Sequence, residues 1–180
     1  VFSAYAEASI IPEKLKFKTS YNLDFYFFDS RNYSPENYVG GSQGNATSAL
    51  SKTYGYGTYH IIDNTLTYSD TKGAHSFSAM LGQSTRMQYN ASLTGRANSV
   101  PGFDEQSKYL VNGSYKNQTT SDAASRYNGL SFFARGTYNY KDKYLATVTL
   151  RADGSSKYQQ KWGFFPSVGG AWILSNEPFY

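Results

Sequence analysis

Arg151 and Asp153 stand two residues apart in the run Thr149-Leu150-Arg151-Ala152-Asp153-Gly154. In an extended backbone that spacing puts both side chains on one face, where a guanidinium and a carboxylate can pair, touch a ligand or tie down a loop. The structural role is favoured, because the pair sits where strand gives way to turn and Gly154 permits turn geometry. Five further charges, Lys16, Lys18, Asp24, Arg86 and Arg135, fall on the polar side of their own alternating stretches. A second group is aromatic: Tyr33, Tyr38, Tyr54, Tyr56, Phe103, Tyr109 and Tyr115 lie in or beside polar connections. Aromatic faces in such places stack on sugars or pack against a partner. His60 and His75 are isolated, with no second ligand at metal spacing, so no metal site is expected. Asp104 and Glu105 adjoin but point apart in extended chain, a poor acid–base pair. Asn45, Asn90, Asn112 and Asn117 each open an N-x-S/T triplet, as chance supplies in a Ser- and Asn-rich chain. No phosphate-binding loop, dinucleotide fingerprint or nucleophile elbow occurs. The chain reads as no enzyme, and it implies no cofactor.

The elements that must carry these residues follow from composition and period. The chain has 180 residues, a formal net charge of +4, no Cys, 18 Tyr and 16 Gly. Its mean hydropathy is -0.57, and no run approaches the roughly 18 apolar residues of a membrane helix. A membrane barrel stays open, since its strands are apolar on one side only. Aromatic residues are 18% of the chain, more than a core of this size needs, and tyrosine in excess belongs at binding surfaces or at the membrane–water interface. Lys and Arg are dispersed among Asp and Glu, which argues against nucleic acid. The chain opens at Val1 inside a strand pattern with no signal peptide, as a mature or truncated piece would.

The clearest alternation is in Tyr144, Ala146, Val148 and Leu150, opposite Thr147, Thr149, Arg151 and Asp153. The longest runs from Leu15 to Phe28. It carries Leu15, Phe17, Thr19, Tyr21, Leu23, Phe25 and Phe27 on one side, and Lys16, Lys18, Ser20, Asn22, Asp24, Tyr26 and Phe28 on the other. That exceeds the usual strand of about five or six residues but suits a tilted strand crossing about 25 Å of hydrocarbon. Seven spanning segments are predicted, starting at residues 2, 15, 56, 74, 129, 144 and 163. Connections between them alternate: 11–14 short, 31–55 long, 70–73 short, 90–128 long, 141–143 short, 153–162 intermediate. Within the second long loop, Gly102-Phe103 and Tyr109-Leu110 suggest a small hairpin or helical turn. An antiparallel up-and-down sheet puts alternate connections at opposite ends, one rim trimmed and the other elaborated, as outer-membrane barrels do.

No amphipathic helix is present to cover the apolar-aromatic face, so lipid is its simplest partner, and the charged face then lines a wet interior. Tyr138, Tyr140 and Tyr144 cluster at a trimmed turn, where an aromatic girdle belongs. Seven strands cannot close, because single-chain bacterial barrels use even numbers from eight upward. The expectation is that residues 1–180 are an all-β, antiparallel part of one larger transmembrane β-barrel domain. Two alternatives stay open: a complete eight-stranded barrel acting as adhesin or anchor and ending on Tyr180, or a secreted soluble glycan-binding β-protein.

The runs Tyr138-Asn139-Tyr140-Lys141-Asp142-Lys143-Tyr144-Leu145, Thr149-Leu150-Arg151-Ala152-Asp153-Gly154-Ser155-Ser156 and Trp162-Gly163-Phe164-Phe165-Pro166-Ser167-Val168 resemble the barrel of SusC/RagA-type TonB-linked outer-membrane transporters. Asp63-Asn64-Thr65-Leu66-Thr67-Tyr68, Gly102-Phe103 with Lys108-Tyr109-Leu110, and Leu130-Ser131-Phe132-Phe133-Ala134-Arg135 are similar to the middle of the same barrel. The resemblance covers most of the chain and is weakest in 31–55 and 111–127. It implies a multi-pass protein of the Gram-negative outer membrane with about 22 strands around a plug. It also implies a TonB-contacting segment outside this chain, a SusD-like surface lipoprotein as lid, and import of oligosaccharides or peptides. On that reading Lys16, Lys18, Asp24, Arg86, Arg135, Arg151 and Asp153 face the lumen or plug. The loop aromatics meet ligand or lid, with lid contact favoured.

Overall fold

The computed structural model describes residues 1–38, 44–177 and 179. Part of the long connection (39–43) and the terminal Tyr180 lie outside the described residues. Nine strands follow in order: β1 (Phe2–Ile11), β2 (Leu15–Ser34), β3 (Asn37–Tyr38), β4 (Gly44–Asn45), β5 (Ala49–Lys72), β6 (His75–Asn98), β7 (Thr119–Tyr140), β8 (Tyr144–Ser155) and β9 (Trp162–Trp172). Seven of them form one antiparallel sheet in the order β1-β2-β5-β6-β7-β8-β9, and β3 pairs with β4 in a separate hairpin. The seven expected segments and their meander order are all present. Among the described residues no helix is long and apolar enough to cross a membrane, which says nothing of strands.

Two expectations need correction. The stretches 31–55 and 90–128 are not loops throughout: β2 runs on to Ser34, β5 starts at Ala49, β6 reaches Asn98 and β7 starts at Thr119. Strands of 20, 24, 24 and 22 residues result for β2, β5, β6 and β7. Their outer parts are rich in Ser, Thr, Asn and Gly and lack the apolar/polar alternation that marks a strand with one greasy face. A ladder needs only backbone donors and acceptors, so it continues where the side-chain pattern has stopped. Within 99–118 the chain makes two short 3₁₀ turns, Leu110–Asn112 and Tyr115–Asn117.

The trimmed connection 141–143 shows why it can be so short. Lys141 and Asp142 both take left-handed φ, 52° and 53°, and the Lys143 amide donates to the Tyr140 carbonyl at 3.0 Å. Two central residues at positive φ give the turn whose twist matches that of the flanking strands. Asn139 secures it by donating to the Asp142 carboxylate at 2.6 Å.

The residues group into two compact units. The first comprises Val1–Asp24, Tyr59–Gln88 and the chain from Tyr127 onward; the second comprises Phe25–Thr58 and Tyr89–Arg126. In the first unit the register Gly136↔Val148↔Val168 and Ala134↔Leu150↔Pro166 puts Val148, Leu150 and Val168 on one face. Phe133↔Arg151↔Phe165 and Arg135↔Thr149↔Ser167 share the opposite face. The apolar face is bare: Phe164 is 77% exposed, Val168 79% and Leu81 61%. Side chains of this size each gain about 1.5–3 kcal/mol on leaving water.

In the second unit the segment 99–118 folds back as a lobe over Tyr33, Leu50 and Ala97. Leu50, Ala97 and Val100 are the buried hydrophobic residues among those described, and Tyr33 and Leu110 pack against them. Ser48 Oγ donates to the Val100 carbonyl at 2.6 Å, the Tyr33 hydroxyl donates to the same oxygen at 3.3 Å, and the Ser99 amide donates to the Ser48 carbonyl at 2.7 Å. Gly113 lies so close to Ala97 that a Cβ there would sit 2.7 Å from the Ala97 Cβ, and one at Gly102 would strike the Tyr33 hydroxyl. These glycines let the lobe close down on the strands. The expectation of hydrocarbon against the whole aromatic side is corrected here: this part is covered by the chain's own connection.

Candidate functional site

All seven predicted wall charges lie in the first unit, on strands β2, β6, β7 and β8. Lys16 reaches Glu7 at 3.8 Å, and the Lys18 ammonium stands 4.8 Å from the centroid of the Tyr5 ring. The register Glu7↔Lys18 and Ser9↔Lys16 puts these groups on one side of the β1–β2 pair, with Asp24 on the same side by parity. Arg86 and Arg135 are exposed, and among the described residues neither makes an ion pair within 4 Å. Arg151 is tied down: its Nε donates to both Asp153 carboxylate oxygens, at 2.8 and 2.7 Å. Its Nη2 reaches Ser131 Oγ at 3.4 Å, and its guanidinium lies 5.8 Å from the centroid of Phe133. Ser84 Oγ, on the neighbouring strand of that face, donates to Asp63 at 2.5 Å.

Pattern reading puts Tyr26 and Phe28 on the polar side of their strand but does not show what the rings on that side cover. The Phe133 ring covers Gly82, and a Cβ at that glycine would fall against the ring. In the second unit Phe28 lies over Gly55 and Tyr26 over Gly57, with the Tyr26 hydroxyl donating to Asn90 Oδ1 at 2.7 Å. The usable signal was a large ring out of phase with its strand's apolar residues and a glycine on the next strand. It emerges only once register is known.

The predicted loop aromatics all fall in the second unit and divide by what they touch. Tyr33 belongs to the lobe's small core, and the Lys108 ammonium stands 5.0 Å from its ring centroid. Tyr54 is a strand residue of β5 rather than a loop residue, and Tyr56 lies in the same strand, as expected, and packs on Phe25 and Tyr89. Tyr109 lies under the Lys52 ammonium, 4.3 Å from its centroid. Tyr38, Phe103 and Tyr115 are the freest, at 89%, 86% and 79% exposed. Glu105 anchors the lobe through Arg31 at 3.1 Å and through Lys108. The Lys108 ammonium, with help from Arg31, holds the Glu105 carboxyl below the ordinary range.

At the trimmed end of the first unit the aromatics form a belt. His75 packs on Tyr140 at 4.8 Å, Tyr140 on Tyr144 at 6.3 Å and Tyr144 on Trp172 at 6.2 Å, the last two pairs stacked. The Glu177 carboxylate collects Lys143 Nζ at 2.8 Å, the Tyr144 hydroxyl at 2.8 Å and Trp172 Nε1 at 3.1 Å. These donors, Lys143 foremost, pull its pKa down to about 2. Rings lined up this way, with the polar tips of Tyr144 and Trp172 bonded, suit the boundary between hydrocarbon and water.

A sheet bare and apolar on one side, charged and hydrogen-bonded on the other, and belted with aromatics is a stretch of membrane β-barrel wall. Comparison with known proteins narrows the class. The chain is 30% identical over 169 residues, 92% of its length, to TonB-dependent receptor P3 of Formosa agariphila. Over 115 residues, 62% of the chain, it is 30% identical to TonB-dependent receptor SusC of Bacteroides thetaiotaomicron. No family model matches. The fold superimposes on the RagAB peptide transporter with a TM-score of 0.80 over 97% of this chain and 20% of that one, at 18% identity. A second RagAB structure, in a closed-closed state, gives 0.81. The chain therefore belongs to the TonB-dependent receptors, which are not enzymes, and its all-β fold matches a segment of a TonB-dependent barrel. It spans 16% of the length of the first of these relatives and 11% of SusC.

Proposed function

We propose that this chain is a stretch of barrel wall, with its external connections, in an outer-membrane, TonB-dependent importer of oligosaccharides or peptides. The observation that carries the reading is the two-sidedness of β7, β8 and β9. Phe164, Val168 and Leu150 stand bare on one face, while Arg135, Arg151 and Asp153 occupy the other. Lipid suits the first face, and a water-filled, plugged lumen suits the second. Lys16, Lys18, Asp24, Arg86 and Arg135 then line the wall around the plug, and Arg151 with Asp153 brace the strand end.

Among the described residues the outer strands of the sheet, β1 and β9, each have one edge without a pairing strand, which a bilayer does not tolerate. On this reading residues 1–180 are part of one transmembrane β-barrel domain, and the remaining strands, the plug and the segment that meets TonB lie outside this stretch. Tyr38, Phe103 and Tyr115 present open rings for a SusD-like lipoprotein lid or for ligand. Deletion of the gene should abolish growth on at least one oligosaccharide or peptide source, and collapse of the proton gradient should abolish uptake by the intact strain. Normal growth on every such source would contradict an importer.

A further inference from the structure

Beyond the wall itself, the first unit holds a cleft of about 560 Å³ at the far end of β7 and β8 and the start of β9. Arg86, Arg151, Lys157 and Lys161 line it, and Asp153 is its one carboxylate. The Arg151 pair with Asp153 neutralises one charge, leaving three cations without an ion-pair partner among the described residues. Three exposed rings line the cleft: Tyr158, 70% exposed, Phe165, 57%, and Trp162, 40%. The Lys157 ammonium also stands 5.4 Å from the centroid of Tyr127.

The connection that brings the two lysines here is fastened rather than loose. The Ser155 amide donates to the Lys161 carbonyl at 2.9 Å, closing the turn. The Ser156 amide donates to the Asn128 carbonyl at 2.9 Å, and the Asn128 amide donates back to Ser156 Oγ at 3.0 Å. Cations held in a concave, partly apolar site focus their field and raise the local concentration of anions. Rings between them offer flat apolar contact to a pyranose or to a peptide side chain.

We propose that this cleft is a subsite for an anionic oligomer, one whose repeating units carry carboxylates. It deepens the importer reading above and rests on it. The carboxylates pair with Arg86, Lys157 and Lys161, while Tyr158 and Phe165 take the apolar face of the same units. An acidic oligosaccharide and an Asp/Glu-rich peptide share this chemistry, and the experiment separates them.

The full-length transporter is purified in detergent, and binding is measured by calorimetry for two matched pairs. One is a galacturonate tetramer against its methyl ester; the other is an Asp-containing pentapeptide against its Asn counterpart. The expectation is that one charged probe binds, its neutral twin binds about tenfold more weakly, and raising salt from about 50 to about 300 mM erodes the difference. Lys157→Gln with Lys161→Gln, in a surface connection, should weaken the charged probe about five- to tenfold and leave heat-modifiable mobility in SDS intact. Equal binding of each pair, no binding of any probe, or unchanged affinity in the double variant would overturn the proposal. Proton-gradient-dependent uptake of a neutral oligosaccharide in the same strain would leave the importer reading standing while this one falls.

Discussion

Val148 and Thr149 are neighbours in sequence and opposites in environment. Val148 lies between Gly136 and Val168 on the bare face, and Thr149 between Arg135 and Ser167 on the wet one. Val148→Arg should cost about 2–4 kcal/mol near the bilayer midplane, and Thr149→Arg close to nothing, measured by urea unfolding of the barrel in lipid. Equal costs would reverse the facing of the sheet. Gly82 tests the wet face by shape. A valine there would meet the Phe133 ring and should cost about 1–3 kcal/mol, most of it recovered when Phe133→Ala is added, as a double-mutant cycle would register. The facing of Val148 was legible in sequence, because alternation over Tyr144 to Asp153 is clean. The seat of Phe133 on Gly82 was not, since nothing within one strand says what lies across from it.

Glu177 sits in the short turn Leu174–Asn176 and its C-cap, and it ties the tail to the aromatic belt. Its carboxyl falls from an ordinary 4.5 to about 2 in the folded chain. A lowered carboxylate pKa means stability that is present above about pH 4.5 and lost as pH falls toward about 2. Trp172 fluorescence should therefore stay native at pH 5 and shift progressively between those limits, while Glu177→Gln should flatten that titration. A Trp172 signal that moves between pH 6 and 7 would mean that another group governs the tail. The existence and order of the seven strands of the large sheet were readable element by element, as were the three tight turns, whereas the β3–β4 hairpin was not. The outer thirds of β2, β5, β6 and β7 were not, since their two faces are alike in polarity and composition there imitates a loop. The lobe over Leu50 and Ala97 was hidden for a related reason: its burial involves few side chains, supplied by three separated stretches.

The whole molecule asks for partners along β1 and β9, whose outer edges no described strand covers. The intact protein, prepared in detergent, should migrate faster in SDS unheated than boiled, as closed barrels do; identical mobility would count against closure. The chain was recognisable as barrel wall because apolar and polar side chains alternate along the inner parts of its sheet strands. A ligand was not legible, since no comparable pattern in the sequence marks what the chain binds. The rings seated on Gly55, Gly57 and Gly82 carry one more implication, for assembly. A slip of β2 by one position against β5 would turn Tyr26 and Phe28 to the opposite side and leave Gly55 and Gly57 uncapped. Misaligned pairings are thus penalised while the ladder is still zipping, and each ring in its notch acts as a proofreader of alignment.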